Sequence, residues 1–261
     1  TQGEFLGALF VLAGFAARSL VKGEAAAFAG AGFCFGLALL LKIDLAVAGL
    51  GLGVWQLVHR RFRAAAWLVA GVLPPVLLLG LVDKLTWGTW FQSVLGHGRA
   101  NLVDGVGNQW GVAPWYQHVV YFFDLHGAPA LLAACVLPWL WRRLPEALRA
   151  GWFTTAFFVA VFAAIPHKEK RFLAPLLYSG IALSCATLAI ASTRVKARHA
   201  RHAALAVLAL VVAQGAANAV TYLVRRPWYD RIAAIVEAGK IPGIQKMLSP
   251  QWPAAFYYPR H

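Results

Sequence analysis

Charge is what this chain has least of. Only 13% of its 261 residues are Asp, Glu, Lys or Arg, against about 25% in a soluble domain. Carboxylates are the scarcer sign: 10, against 24 Lys and Arg, for a formal net charge of +14. The three cysteines, Cys34, Cys135 and Cys185, all fall inside apolar runs. That setting argues against a disulfide framework and reads as small buried apolar residues. No basic face interleaved with aromatics appears, so the positive surplus does not point to nucleic acid. His97, His118 and His126, with Asp104 or Asp124, lack the tight spacing of metal ligands. No metal or other cofactor is expected. The first residue is Thr, with no initiator Met or signal peptide in view. The chain is therefore expected to begin partway through a longer protein.

What is abundant is apolar surface: 60% of residues are hydrophobic, with 11 Trp and 16 Phe, many beside loops. Apolar runs occur at Phe5–Ala17, Ala25–Leu41, Leu45–Val58, Ala64–Val82, Gly127–Trp141, Trp152–Ile165, Phe172–Ala191 and Ala203–Val224. A membrane span needs roughly 17–25 residues, so several runs must extend into their flanks. The expected fold class is all-α: a polytopic membrane helix bundle of about eight helices. The bundle covers residues 1–224. An amphipathic tail, 225–261, reads as a short external cap, with Trp228, Tyr229, Trp252 and Tyr257 near the headgroup layer.

The basic clusters orient the bundle. Arg18/Lys22, Arg60-Arg61-Phe62-Arg63, Arg142-Arg143 with Arg149, and Arg194 to Arg201 fall in every second loop, which the positive-inside rule makes cytoplasmic. The alternate loops then face outward, and they hold most of the carboxylates. One of them, Asp83–His126, is too long for a simple connection and is rich in Gly and aromatics.

Another outward loop, residues 166–171, carries the densest polar cluster, His167-Lys168-Glu169-Lys170-Arg171, set between two apolar runs. Ionisable groups at a membrane boundary are costly unless they face water, a partner or a ligand. Lys168, Lys170 and Arg171 place three cations at one bilayer face, which suits a phosphate in the headgroup layer. His167 can donate to an oxyanion or move a proton, and Glu169 can orient the cations or bind a hydroxyl. Lys42 and Asp44 lie at another outward turn, and Asp83 opens the long loop. Together these groups describe a cleft for a lipid-linked phosphate with a polar second substrate. A transporter or flippase of lipid-linked or polar solutes is the competing reading. It calls for charged or Pro/Gly-interrupted segments at mid-membrane depth, where only Pro74-Pro75 stands out.

The stretch His167 to Pro175, HKEKRFLAP, resembles the HKE-x-RF-x-x-P signature of the family-22 glycosyltransferases, the multi-span mannosyltransferases of GPI-anchor and N-glycan assembly and their bacterial relatives. Gly36 to Ala46 resembles that family's GLAF-x-x-R turn, with Lys42 in place of Arg. Asp83 to Trp90 resembles its D-R-x-x-Y-G-x-W segment, with Trp87 for Tyr. Asn101, followed by Trp110 to Tyr116, resembles its N and YG-x-x-PWYWY elements. Lys170 departs from the pattern, standing where a second acidic residue is frequent.

The resemblance covers about residues 30–180. It implies a GT-C-like bundle that moves a sugar, with inversion, from a polyprenyl- or dolichyl-phosphate sugar donor to a lipid-linked or glycan acceptor at the external face. It implies substrate contacts from His167, Lys168, Glu169, Arg171, Lys42, Asp44, Asp83, Asn101, Trp115 and Tyr116. The family's general base is expected upstream of this chain, so the catalytic residue is not assigned. The lipid bilayer is the other expected partner. The Ala- and Arg-rich composition points to a bacterial inner membrane, with the site on the periplasmic side.

Overall fold

The computed structural model describes residues 2–194, five isolated positions between 199 and 213, and residues 247–249 and 252–256. Residues 1–207 form one compact unit and 208–261 a second. The described residues of the first unit form helices joined by turns: α1 (Gln2–Leu20), α2 (Glu24–Leu41), α3 (Ala46–Val58), α4 (Phe62–Trp87), α5 (Gln92–Gly98), α6 (Gln117–Leu140), α7 (Glu146–Ala164) and α8 (Leu177–Ser192). In the second unit Met247–Ser249 pairs with Trp252–Phe256 in a short antiparallel ribbon.

Seven of the eight expected apolar runs coincide with helices of the first unit. Most of the eighth, Ala203–Val224, and most of the 225–261 tail lie outside the described residues. Among the described residues four helices are long and apolar enough to cross a membrane: α2, α4, α7, and α6 taken on to Arg143. The shorter apolar helices are Leu6–Leu20, Ile43–Val58 and Leu177–Ser192. The fold is thus a bundle of membrane-compatible helices, with four candidate spans among the described residues.

Close packing explains the many small residues. Without a hydrophobic drive between helices in lipid, van der Waals fit does the work, and small residues let backbones approach. Gly32 on α2 and Gly71 on α4 lie against each other's helix so closely that a Cβ on Gly32 would collide with the Leu68 carbonyl, and one on Gly71 with the Ala29 carbonyl. Pro75, in the middle of α4, packs against Gly36, where a Cβ would stand 2.8 Å from its ring. The outer face of α4 carries Leu73, Leu77, Leu78 and Leu81, each about half-exposed. An apolar outside is what lipid requires, so hydropathy does not separate core from surface here. That is why two of the three cysteines depart from the expectation of burial. Cys34 is half-buried, but Cys135 and Cys185 are exposed, and all three are free thiols.

At one end of the bundle Glu146, the first residue of α7, gathers three partners. Arg18 Nη2 donates to both carboxylate oxygens at 3.2 Å, Arg61 Nη1 stands 2.6 Å from Oε1, and Trp55 Nε1 donates at 3.4 Å. A carboxylate in the first turn also complements the positive helix end. This clamp joins α1, α3, the α3–α4 turn and α7 at the end that holds the basic loops.

The 83–126 segment is more structured than its sequence announces. After α4 stops at Gly88, in the left-handed conformation that glycine tolerates (φ 79°), the chain forms α5, a π turn at Arg99–Val103 and a 3₁₀ turn at Val106–Trp110. Helix α6 begins at Gln117, ten residues before the apolar run that marked it. The run starts instead at Gly127, whose backbone (φ 65°, ψ −155°) interrupts α6.

Candidate functional site

The polar cluster of residues 167–171 follows the C-terminus of α7. A helix end leaves its last carbonyls without partners and carries partial negative charge. Lys168 supplies both needs. Its ammonium donates to Ala163 O at 2.8 Å, to Phe162 O at 3.3 Å and to Ile165 O. It is buried, and burial pulls its ammonium below the usual lysine value. With Lys168 fixed to α7, the loop is tied to its surroundings by its neighbours. Ala113 N–H donates to Pro166 O at 3.2 Å, and His167 Nδ1 lies 2.8 Å from Gly111 O. Lys170 pairs with Asp124 of α6 and sits over the Tyr121 ring at 5.7 Å.

Glu169 is the hub. Its Oε1 lies 2.7 Å from His167 Nε2 and 3.0 Å from Arg171 Nη2, and Arg171 Nε meets Oε2. Both ring nitrogens of His167 thus face oxygen acceptors, and a ring carrying both protons donates to both. Behind the loop His118 is fully buried, its ring 6.0 Å from the Phe162 ring and 6.2 Å from the Phe172 ring. Its nitrogens lie near the backbone of Phe162 and Glu169 but make no well-aligned hydrogen bond.

The loop closes one side of a cavity of about 530 Å³. Lys42, Asp44, His97, Asn101, His167 and Arg171 supply its polar lining, and Leu41, Phe162, Ile165 and Phe172 are among its apolar walls. Five residues expected in the site from sequence therefore meet here: Lys42, Asp44, Asn101, His167 and Arg171. Glu169 reaches the cavity through the two residues it holds. Lys168 lies beneath, on α7.

The other three expected residues sit elsewhere. Asp83, buried near the end of α4, accepts from Ser93 N at 2.8 Å and from Ser93 Oγ at 2.6 Å, which pins the first turn of α5. Trp115 and Tyr116 are exposed, with ring centroids 6.0 Å apart. Trp115 borders a second cavity of about 700 Å³, almost entirely apolar, between α6 and α7.

His97 is not among the substrate contacts expected from sequence, yet it is central to the polar wall. Its Nε2 lies 3.3 Å from Asp44 Oδ1, and Lys42 Nζ lies 3.5 Å from Asp44 Oδ2. Asn101 Nδ2 donates to His97 O at 3.0 Å and lies 3.3 Å from His97 Nδ1. The signal was there in the spacing. Ser93, His97 and Asn101 follow at intervals of four, one face of a helix. Burial pushes the Asp44 carboxyl up, but His97 and Lys42 outweigh it and hold it below its usual value. The hydrogen bond to Asp44 lifts the His97 imidazole above its usual value, against partial burial and the Lys42 charge.

An Alg9-like mannosyltransferase family model matches residues 8–238. The chain belongs to that family. The match spans α1 to α8 and includes the loop and both halves of the cavity. A chain of this family with helices long and apolar enough to cross a membrane is an integral membrane protein. The chain is also similar to a Schizosaccharomyces pombe protein named "Probable Dol-P-Man:Man(7)GlcNAc(2)-PP-Dol alpha-1,6-mannosyltransferase", with 25% identity over 139 residues. That match covers 52% of this chain and 25% of the relative. The chain thus matches about a quarter of the length of that relative. No solved structure matches the chain at a significant level.

Proposed function

We propose that this protein transfers a hexosyl group, mannosyl by its family, from a polyprenyl- or dolichyl-phosphate sugar to a lipid-linked or glycan acceptor, with inversion, at the external face of the membrane. The observation that carries this reading is the single polar cavity wall that gathers Lys42, His167 and Arg171 at the end of an apolar bundle. A headgroup phosphate reaches such a place with its lipid chain still in the bilayer.

The glycosidic bond to phosphate breaks, the phosphate leaves with the electron pair, and the acceptor oxygen bonds to the anomeric carbon and gives up its proton. Negative charge grows on the departing phosphate, and cations fixed where charge develops lower the barrier. Arg171 suits that task by its planar fork of donors. It already faces Glu169, as Lys42 faces Asp44. The phosphate therefore enters by sharing these cations with carboxylates, which keeps them ordered before it arrives. Lys168 acts one step back, by holding the loop on α7. Asp44 is a poor proton acceptor for the acceptor hydroxyl, because two cationic partners stabilise its ionised form.

The external face is supported by the basic loops, which the positive-inside rule assigns to the cytoplasm. The Arg18–Glu146–Arg61 clamp is made by residues of those loops and of the helix ends beside them. The test is reconstitution of the full-length protein with a polyprenyl-phosphate mannose and a lipid-linked oligosaccharide. Transfer of mannose supports the reading; hydrolysis alone, or no reaction in a folded preparation, overturns it.

A further inference from the structure

The cavity has a second polar group whose chemistry differs from that of the phosphate side. Asp44 presents a carboxylate held on one oxygen by His97 and on the other by Lys42. A carboxylate has about four lone-pair positions, so two partners leave capacity for hydroxyl donors. Asn101 adds a second acceptor. Its NH₂ group is committed to the His97 carbonyl at 3.0 Å, which turns Oδ1 the other way. A Cβ built on Gly107 would lie 3.4 Å from that Oδ1 and 3.5 Å from His167. Gly107 therefore leaves open the space between the Asn101 acceptor and the loop that carries Arg171.

We propose that Asp44 and Asn101 form a sugar-reading subsite that accepts hydrogen bonds from hydroxyls of the donor hexose, with His97 as the positioning residue that fixes both. This rests on the donor-phosphate reading above. The geometry gives the subsite its place. The sugar is covalently joined to the phosphate, so its hydroxyls must fall within a few bond lengths of Arg171 and His167, and the Asp44–Asn101 wall lines the same cavity. The floor fits as well. A hexose offers a C–H face, and Phe172 and Ile165 line the cavity beside these acceptors. His97 is held in turn from outside: Asp83 pins Ser93, one helical turn before it. A buried structural carboxylate has no need of a cavity wall. Asp83 shows that alternative in the same molecule, buried, held on Oδ2 by Ser93 and away from the cavity.

The test measures binding, separately from turnover. The full-length protein in lipid nanodiscs is titrated with polyprenyl-phosphate mannose, with polyprenyl-phosphate glucose, which differs in one hydroxyl configuration, and with bare polyprenyl phosphate. Hydrogen bonds to a charged acceptor predict that the wild type holds the mannose lipid tighter than the bare lipid, by roughly 10- to 100-fold. Asp44→Ala is expected to erase that ratio and the ratio between the two sugars, while still binding the bare lipid phosphate through Arg171 and His167, with an affinity shifted by the loss of Lys42's partner. His97→Gln is expected to give part of the same loss. Retained bare-lipid binding shows that the variant is folded. Equal wild-type affinity for sugared and bare lipid overturns the subsite and leaves the phosphate reading intact. Equal loss of all three lipids in Asp44→Ala makes Asp44 structural and overturns it too. Failure of the wild type to bind any of the three overturns the phosphate reading and the subsite with it.

Discussion

The ammonium of Lys168 lies 2.8 Å from the carbonyl oxygen of Ala163, in the last turn of α7. A cation that stands two positions before Lys170 and three before Arg171 in sequence is therefore not their neighbour in function. The run of three cations divides into a helix cap (Lys168), a tie to Asp124 (Lys170) and a cavity-facing guanidinium (Arg171).

Lys168→Met tests that division. The substitution keeps the apolar stem and removes the donors, leaving buried carbonyls unpartnered at a cost of about 1–3 kcal/mol. A lowered melting temperature in detergent, with any loss of turnover following the loss of folded protein, is the expected result. Unchanged stability together with lost turnover would place the ammonium on substrate instead.

The α5 dock should depend on pH. His97 is lifted above its ordinary value by Asp44, so its contribution is full below about 6.5 and is lost as pH rises through the lifted value. Asp44 is depressed, so its contribution is full above about 3.9 and is lost as pH falls through the depressed value. The pair is strongest between those limits. Lys42 opposes protonation of His97, and the other ionisable groups of the cavity wall are His167 and Arg171. Amide hydrogen exchange of residues 92–101 should slow toward mildly acidic pH after correction for the intrinsic rate. His97→Gln should flatten that response; a response that persists in the variant would belong to another group.

Gly71→Ala should loosen the α2–α4 pair. Its Cβ meets backbone, which cannot swing aside. Overpacking of this kind costs about 1–3 kcal/mol. A melting temperature equal to that of the wild type would mean that the two helices are not held as closely as described.

Glu146→Gln should leave Arg18 and Arg61 facing each other without their shared carboxylate. Arg18 is the less exposed of the two, at 18% against 43% for Arg61. Solvent weakens the outer pair, so Arg18→Met should lower the melting temperature more than Arg61→Met. The opposite order would put the clamp's strength at the surface.

These residues show what the sequence makes legible and what it hides. Hydropathy placed seven helices, because an apolar run of that length has few other uses. It missed α5, a helix of seven residues with no apolar stripe of its own, held through its Ser93 by Asp83 of α4. It placed the start of α6 at Gly127, because the helix's first turns are polar and aromatic. The signature loop was visible as a dense polar cluster between apolar runs, but the direction of each side chain was not. Adjacent residues in an irregular loop can point anywhere, and only the carbonyls of α7 decide where Lys168 goes. His97 was legible in the spacing Ser93, His97, Asn101, yet its partner Asp44 lies 53 residues away. No local pattern joins them.

The central claim is that Arg171 stabilises the charge that grows on a departing lipid phosphate. The most direct measurement is single-turnover transfer of labelled mannose from polyprenyl-phosphate mannose to a lipid-linked acceptor by the full-length protein and by Arg171→Ala. Arg171 is half-exposed and its ion pair contributes little to folding, so the variant should melt as the wild type does. Its transfer rate should fall by about 10²–10³, the usual cost of one preorganised contact to developing charge. A folded variant that transfers mannose at the wild-type rate would contradict the claim.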